Sequence, residues 1–405
     1  MIFQKILQCR VCNNKNLFKY LDLGKQPLAN SFLTKSNIPK EKKFPLEMLF
    51  CSKCYLSQLS VVVNPKYIFS DYDYLSSSSR ALQTHYKDLC NFIIKKYKIR
   101  GSDVIIDIGC NDGILLNQYP NSCKNLVGVE PSNASKFVTN KKIALYSDFF
   151  NKKTSDKIIK RFSKAKIVTM TNVLAHVHDL NSLVKNIKNI LKEDGIFIVE
   201  VPYLLDMLRK GLFDVIYHEH LSYFSIHSLD FLFKKHGLKI IYQKNINFGA
   251  SGPAIRVIAT HNNKKFFNDN NLNKKLSFEK MMGVNKKQTY LDFNFKTSQI
   301  IMRLKNKINN LVKKNINLAC YTAPAKGNTL LNSLSLKKNT ISYVSENNKK
   351  KLGKYTPGTH IKIVNDAFLL KKKITHAILL SWNYKKFFIQ NSQFIKKGGK
   401  FIIPF

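Results

Sequence analysis

Short β-branched runs alternate with stretches of helical periodicity through the middle of the chain. Val104-Ile-Ile-Asp-Ile108, Leu126-Val-Gly-Val-Glu130, Ile167-Val-Thr-Met170 and Ile196-Phe-Ile-Val-Glu-Val201 each predict a buried strand. Between the last two, Leu183, Val184, Ile187, Ile190 and Leu191 recur at helical spacing, with Asp179 placed to cap the helix and Gly195 beyond its end. Strands alternating with helices predict βαβ units and a mostly parallel sheet. A helix over Ser79–Tyr97 leads in. Another, capped by Ser225 and running to Lys235, is followed by Gly237 and a strand over Leu238–Tyr242.

The flanks read differently. From Met1 to about Tyr67 the segments are short and turn-rich, too little sequence for a large core. After His261 a Lys- and Asn-rich segment, through about Asn317, predicts long exposed helix with Met302, Leu304, Ile308 and Leu311 among its apolar positions. Strands are then expected at Leu318–Tyr321, Thr340–Val344, Ile361–Val364, Ala377–Ser381 and Lys400–Pro404. With 405 residues the chain exceeds one ordinary core. The division expected is residues 1–67, 68–265 and 266–405: a small N-terminal domain, a central Rossmann-like α/β domain and a smaller C-terminal α/β domain.

A hydrophobic fraction of 44% and an aromatic fraction of 12% are those of a folded globular protein. The formal net charge of +42 suggests a polyanionic partner, but only seven of the 67 basic residues are Arg. The lysines mingle with Asn and Ile along the whole chain, as a drift toward AT-rich codons produces. A nucleic-acid reader concentrates its charge on one face and uses Arg forks, so no nucleic-acid partner is expected; a residual attraction to phosphate-bearing ligands stays open. No apolar run is long enough to span a membrane and the first residues are too short for a signal segment, so a cytoplasmic address without a membrane partner is expected.

Charge and composition leave the chemistry to a few motifs. Four of the eight cysteines form two pairs, Cys9-x-x-Cys12 and Cys51-x-x-Cys54. In a long chain of this class such pairs favour a metal over disulfides, and a tetrathiolate Zn²⁺ site would supply the stability the small N-terminal domain lacks. Coincidental reduced cysteines and a redox pair are the alternatives. Because four cysteines leave no open position, one structural zinc per chain is expected. Downstream, Ile68–Ser79 is polar and low in complexity, either a linker or, through Tyr72 and Tyr74, a binding loop.

Asp107-Ile-Gly-Cys-Asn-Asp-Gly113 stands where the first strand of the central sheet turns into a helix. Gly109 and Gly113 allow close approach of a ligand, and the carboxylates of Asp107 and Asp112, with Asn111 between, suit a ligand carrying an ammonium group and a ribose. The spacing departs from the Gly-x-Gly-x-x-Gly of nicotinamide sites. Glu130 ends the second strand, followed by Pro131, where an acid accepts both ribose hydroxyls. Strand, turn, helix, strand and terminal Glu in order point to S-adenosylmethionine, with Asp148 and Phe149 meeting the adenine and Asn172 at the rim.

Tyr217-His-Glu-His-Leu-Ser-Tyr-Phe-Ser225 is the densest group of titratable and hydroxyl side chains, and it follows the strand ending at Val201. Metal ligation and polar decoration are alternatives; the preferred reading is proton abstraction beside a methyl donor. A His works near neutral pH, a neighbouring Glu orients it and raises its pKa, and a Tyr donates to a developing oxyanion.

These blocks together resemble a known family, the zinc-containing sugar C-methyltransferases that act on nucleotide-linked deoxy-4-ketohexoses. The resemblance runs through Cys9-Arg-Val-Cys12, Leu23-Gly-Lys-Gln-Pro-Leu-Ala-Asn-Ser-Phe32, the second cysteine pair, Asp107–Gly113, Asn172-Val-Leu-Ala-His-Val177, Tyr217-His-Glu-His220, Tyr321-Thr-Ala-Pro-Ala-Lys-Gly-Asn-Thr329 and Tyr355-Thr-Pro-Gly358. It implies a class I methyltransferase domain and a nucleotide-sugar substrate. It also implies that His220 is the base that removes the proton beside the keto group, with Tyr217 and Glu219 supporting the enolate and the base. His176 and a tyrosine of the Tyr72/Tyr74 loop, Tyr74 of the two, resemble substrate-side residues. Lys326 and Asn328 lie in a Gly-containing turn that either closes the nucleotide-sugar pocket or is an ordinary βα turn. Ala250-Ser-Gly-Pro-Ala-Ile-Arg256 departs from the simpler run of such enzymes and leaves its role open. The expected reaction is C-methylation through an enolate; O-methylation, a non-sugar carbon acid, or a zinc-containing nucleic-acid-binding protein are the competing readings.

Overall fold

The computed structural model describes residues 2–69, 75–246, 252–263 and 271–405. At its centre is a seven-stranded sheet in the order Leu238–Ile246, Ala254–His261, Leu191–Pro202, Ala165–Thr171, Val104–Ile108, Asn125–Val129, Ile143–Tyr146. The last five pair in parallel, and Ala254–His261 is antiparallel to both of its neighbours. Every residue of Val104–Ile108 is buried, as a strand covered on both faces requires. The helix Arg80–Tyr97 buries Leu82, Tyr86, Leu89 and Ile93, with the Ser79 side chain accepting from the Leu82 amide. Asp179 caps Leu180–Ile190 in the same way.

Two expectations need correction. Beyond Gly113 there is no regular helix, only a short 3-10 turn at Leu116–Gln118. Ile114, Leu115 and Leu116 are all buried, which no single helix face achieves, and Pro120 stops the chain just beyond. The Lys/Asn-rich segment is likewise not one exposed helix. It forms Asn271–Met281 and Lys287–Lys313, separated at Gly283, whose φ is +78°. The longer helix buries Tyr290, Phe293, Thr297, Ile300, Leu304 and Ile308 and leaves Met302 in solvent.

The C-terminal region is a five-stranded parallel sheet ordered Ile363–Val364, Tyr343–Ser345, Leu318–Tyr321, His376–Leu379, Lys400–Ile402. The order reverses at Leu318–Tyr321, so a crevice opens between the ends of that strand and His376–Leu379.

The N-terminal sheet comprises Leu17–Pro27, Lys43–Cys51 and Ser57–Leu59, and its edge is completed by Ser222–Tyr223 from the middle of the chain. One apolar cluster crosses all three regions. It joins Tyr20, Phe50 and Leu46 to Leu204, Ile216 and Tyr223, and to Leu330 and Ile378. Phe50 stacks on Tyr290 with ring centroids 4.0 Å apart. Among the described residues no helix is long and apolar enough to cross a membrane.

Candidate active site

The turn after Val104–Ile108 is built on backbone that few side chains tolerate. Gly109 has φ +72°, and a Cβ there would stand 2.4 Å from Val173 Cγ2. Asn111 follows at φ +54°, and its N–H donates to Glu130 Oε2 at 2.9 Å. Glu130 Oε1 accepts from the Ser132 N–H at 2.8 Å. The carboxylate is thus fixed between two loops, and each oxygen keeps a lone pair for a hydroxyl of a bound diol. Asp107 accepts from Thr169 Oγ1 at 2.6 Å, and burial pushes its carboxyl up to about 7.

The chain just after the tyrosine loop is tied onto this turn. Ser76 N–H donates to Asn111 Oδ1 at 2.9 Å, and Ser77 N–H to Asp112 Oδ2 at 3.0 Å. Asp112 Oδ1 is buried and has no partner among the described residues, as a carboxylate oxygen kept for a bound ligand would be. Gly109, the pinned Glu130 and this free oxygen fit S-adenosylmethionine. Tyr72 and Tyr74 lie outside the described residues. Asp148 and Phe149 are exposed beyond the strand Ile143–Tyr146, as is Pro131. Asn172, at φ +58°, donates its N–H to the Glu200 carbonyl at 2.8 Å.

Glu200 was not singled out in the sequence, because an acid inside a strand carries no local signal. It is 2% exposed, and its Oε1 lies 2.5 Å from Arg256 Nε and its Oε2 2.7 Å from His85 Nε2. Burial pushes the Glu200 carboxyl up, but His85 and Arg256 outweigh it and hold the group below the usual range. The guanidinium of Arg256 is therefore engaged inside the protein. Of the run that precedes it, positions 250 and 251 lie outside the described residues.

The segment 217–225 divides its polar side chains between two directions. His218 packs its ring against Phe44 and sets Nε2 3.1 Å from the Pro45 carbonyl, in the N-terminal domain. His220 turns inward. Its Nδ1–H donates to the Val215 carbonyl at 3.2 Å, which leaves Nε2 as the lone-pair nitrogen, 2.9 Å from the Tyr217 hydroxyl. The ring of His176 is 4.9 Å away. Burial, then the proximity of His176, puts the His220 pKa well below 6.5.

The expectation that Glu219 orients His220 and raises its pKa is therefore corrected. Glu219 Oε1 accepts from Asn30 Nδ2 at 3.2 Å instead, and burial pushes its carboxyl up; Oε2 has no partner among the described residues.

Lys326 and Asn328 sit not in a turn but in the first turn of the helix Ala325–Leu334. Lys326, 3% exposed, lies 4.0 Å from the Trp382 ring centroid and bonds Asn383 Oδ1 at 2.6 Å. Burial brings its amine down to about 8, although Asp214 opposes this. The Trp382 indole N–H donates to Asp214 Oδ2 at 2.6 Å. Asn328 donates to the Ala29 carbonyl at 2.7 Å, and Thr329 Oγ1 to the Ile216 carbonyl at 2.9 Å, so this helix braces the segment leading to His220.

At the end of Tyr343–Ser345, Glu346 accepts from the amides of Ala323, Asn347 and Asn348. This is the same placement that Glu130 has at the end of the second strand of the central sheet.

The four paired cysteines converge. Cys9 Sγ and Cys54 Sγ are 3.4 Å apart, as are Cys12 Sγ and Cys51 Sγ, and all four lie within 4.8 Å of one another. A tetrahedral Zn–S₄ centre needs sulfurs about 3.8 Å apart, so the set fits.

Comparison with known proteins gives the same order of parts. Family models match residues 9–69, described as "putative zinc binding domain", residues 79–243, "methyltransferase domain", and residues 249–405, "C-methyltransferase C-terminal domain". The chain is 29% identical over 406 residues to the C-methyltransferase NovU of Streptomyces niveus, covering 100% of this chain and 96% of that one. It is 28% identical over 138 residues to a ubiquinone biosynthesis O-methyltransferase of Pelagibacter ubique, covering 32% of this chain and 56% of that one. A crystal structure of an S-adenosylmethionine-dependent methyltransferase from Clostridium acetobutylicum is 16% identical, with a TM-score of 0.35, covering 44% of this chain and 92% of that one. With these three parts in this order, the chain belongs to the C-methyltransferases that join an N-terminal zinc-type domain to a class I S-adenosylmethionine-dependent methyltransferase domain and a C-terminal α/β domain.

Proposed function

We propose that the enzyme methylates the carbon beside the ketone of a nucleotide-linked 4-keto deoxysugar, with His220 as the base. The observation that carries this reading is the buried His220, its proton held on Nδ1 by the Val215 carbonyl and its Nε2 facing the Tyr217 hydroxyl. A base kept neutral by burial is ready to take a proton at neutral pH. His220 Nε2 receives the proton of the carbon, and the C–H electron pair becomes the enolate, whose oxygen Tyr217 stabilises with its O–H. S-adenosylmethionine supplies an electrophilic methyl group. The enolate carbon forms the new C–C bond, and the pair of the S–CH₃ bond stays on sulfur.

Asp107, Asn111, Asp112, Asn172 and the diol acceptor Glu130 are assigned to the cofactor, with Pro131, Asp148 and Phe149 along its outer edge. His176 and Tyr74 are assigned to the sugar. The nucleotide is assigned to the crevice of the C-terminal sheet, where Lys326 offers a buried cation for phosphate and Glu346 an acceptor for a nucleoside hydroxyl. Cys9, Cys12, Cys51 and Cys54 are assigned to one structural zinc. The test is transfer of a labelled methyl from S-adenosylmethionine to a panel of nucleotide-linked 4-keto sugars, with product mass as the readout. Turnover only on acceptors that lack a carbonyl-activated C–H would reject the reading.

A further inference from the structure

Arg10 stands inside the first cysteine pair, between Cys9 and Cys12. It is 7% exposed, and Nη1 donates to two carbonyls, Leu221 at 2.9 Å and Leu59 at 3.2 Å. Its own backbone is fixed on both sides, the N–H to Gln58 Oε1 at 2.9 Å and the carbonyl to Asn181 Nδ2 at 2.8 Å. Leu221 is the residue after His220. Its carbonyl also accepts from the Leu59 N–H at 3.0 Å, and its N–H donates to the Ala175 carbonyl at 2.8 Å, one residue before His176. The backbone of Leu221 therefore joins the chain beside His220 to the chain beside His176 and to Arg10.

We infer that Arg10 is a positioning residue: it fastens the cysteine cluster to the Leu221 peptide, so that a folded cluster sets the place of His220. Two physical arguments support this. A guanidinium hydrogen bond to a buried carbonyl is charge-assisted and about twice as strong as a neutral one. A tetrathiolate zinc centre carries excess negative charge, which the neighbouring guanidinium offsets, so the cation is most favourable in its buried place when the cluster is assembled. The metal would thus act on the reaction without an open coordination position. This role rests on His220 being the base, but the fastening can be measured without any acceptor.

The experiment uses the full-length, zinc-loaded chain with Arg10→Gln and Arg10→Lys. Zinc content, S-adenosylhomocysteine affinity and amide hydrogen exchange are compared with the unsubstituted protein. In Arg10→Gln we expect zinc near one per chain and cofactor-product affinity within about twofold, with amides of Leu59 and of residues 221–223 exchanging about tenfold faster. Arg10→Lys should recover part of the protection, because it restores a charged donor of similar reach. Chelating zinc from the unsubstituted protein should raise exchange at the same amides. Where a methyl acceptor is in hand, kcat should fall with KM little changed. Unchanged exchange at 221–223 in zinc-loaded Arg10→Gln would overturn the inference. So would zinc loss with faster exchange throughout Leu17–Cys51, since Arg10 would then merely support the N-terminal fold.

Discussion

The Tyr217 hydroxyl lies 2.9 Å from Nε2 of His220, on the side of the ring opposite the Val215 carbonyl that holds the Nδ1 proton. One ring nitrogen is committed to structure and the other to chemistry. Tyr217→Phe should therefore leave S-adenosylhomocysteine binding intact and lower kcat by about 10²-fold, the size expected when one polarising donor is lost. Steady-state kinetics and calorimetry check this; a change in KM alone would contradict it.

Burial holds His220 well below pH 6.5, and His176 and His218 at about 4. On the acid side, turnover should stay level through the ordinary histidine range and fall only below it. Stability has a definite sign. The unfolded chain takes up protons on these histidines as pH falls through about 6.5, whereas the folded chain does not, so acidification favours unfolding. The urea midpoint should drop between pH 7 and pH 5, and the drop should shrink in His218→Asn, which keeps a polar group beside the Pro45 carbonyl without titrating.

Gly109→Ala combines a positive φ with a Cβ 2.4 Å from Val173. Strain of about 1–3 kcal/mol is expected, together with at least a tenfold loss of S-adenosylhomocysteine affinity, because the turn can relax only by moving off its site. Thermal melting and calorimetry read the two effects separately.

Glu200→Gln should be more damaging to the fold than an ordinary surface change, because it leaves Arg256 and His85 facing a neutral group. A loss of about 3–5 kcal/mol is expected for a buried cation left unpaired, read as a lower urea midpoint. Pairing it with Arg256→Met should recover part of the loss.

Elemental analysis should find about one zinc per chain, lost in Cys54→Ser, since that sulfur is one of four within 4.8 Å of one another and its loss leaves only three thiolates.

Local patterns in the sequence carried much of the fold. β-branched runs located the central strands, and Asp179 and Ser225 cap their helices as expected. Asp107–Gly113 and Glu130 were legible because a turn and a strand end are local, and the structure brings them within hydrogen-bond distance through Asn111. Partnership across the chain was not. Nothing near Ser222–Tyr223 announces that it pairs with Ser57 and Gln58, and without that pairing His218 and His220 look equivalent. The N-terminal sheet separates them by claiming one. Glu219 looked like a partner of His220 by adjacency and by family resemblance, but its side chain reaches Asn30 of the N-terminal region while the His220 ring bonds the Val215 carbonyl. Arg10 was visible only as part of a cysteine motif, since its two carbonyl partners lie 49 and 211 residues away.

The most direct test of the central claim follows the acceptor proton in deuterated water, with a nucleotide-linked 4-keto sugar, the native enzyme and no methyl donor. The account predicts deuterium entering the carbon beside the ketone with the native protein and no such exchange with His220→Ala, while both bind S-adenosylhomocysteine equally. Exchange, or methyl transfer once the donor is added, at the native rate in His220→Ala would contradict it.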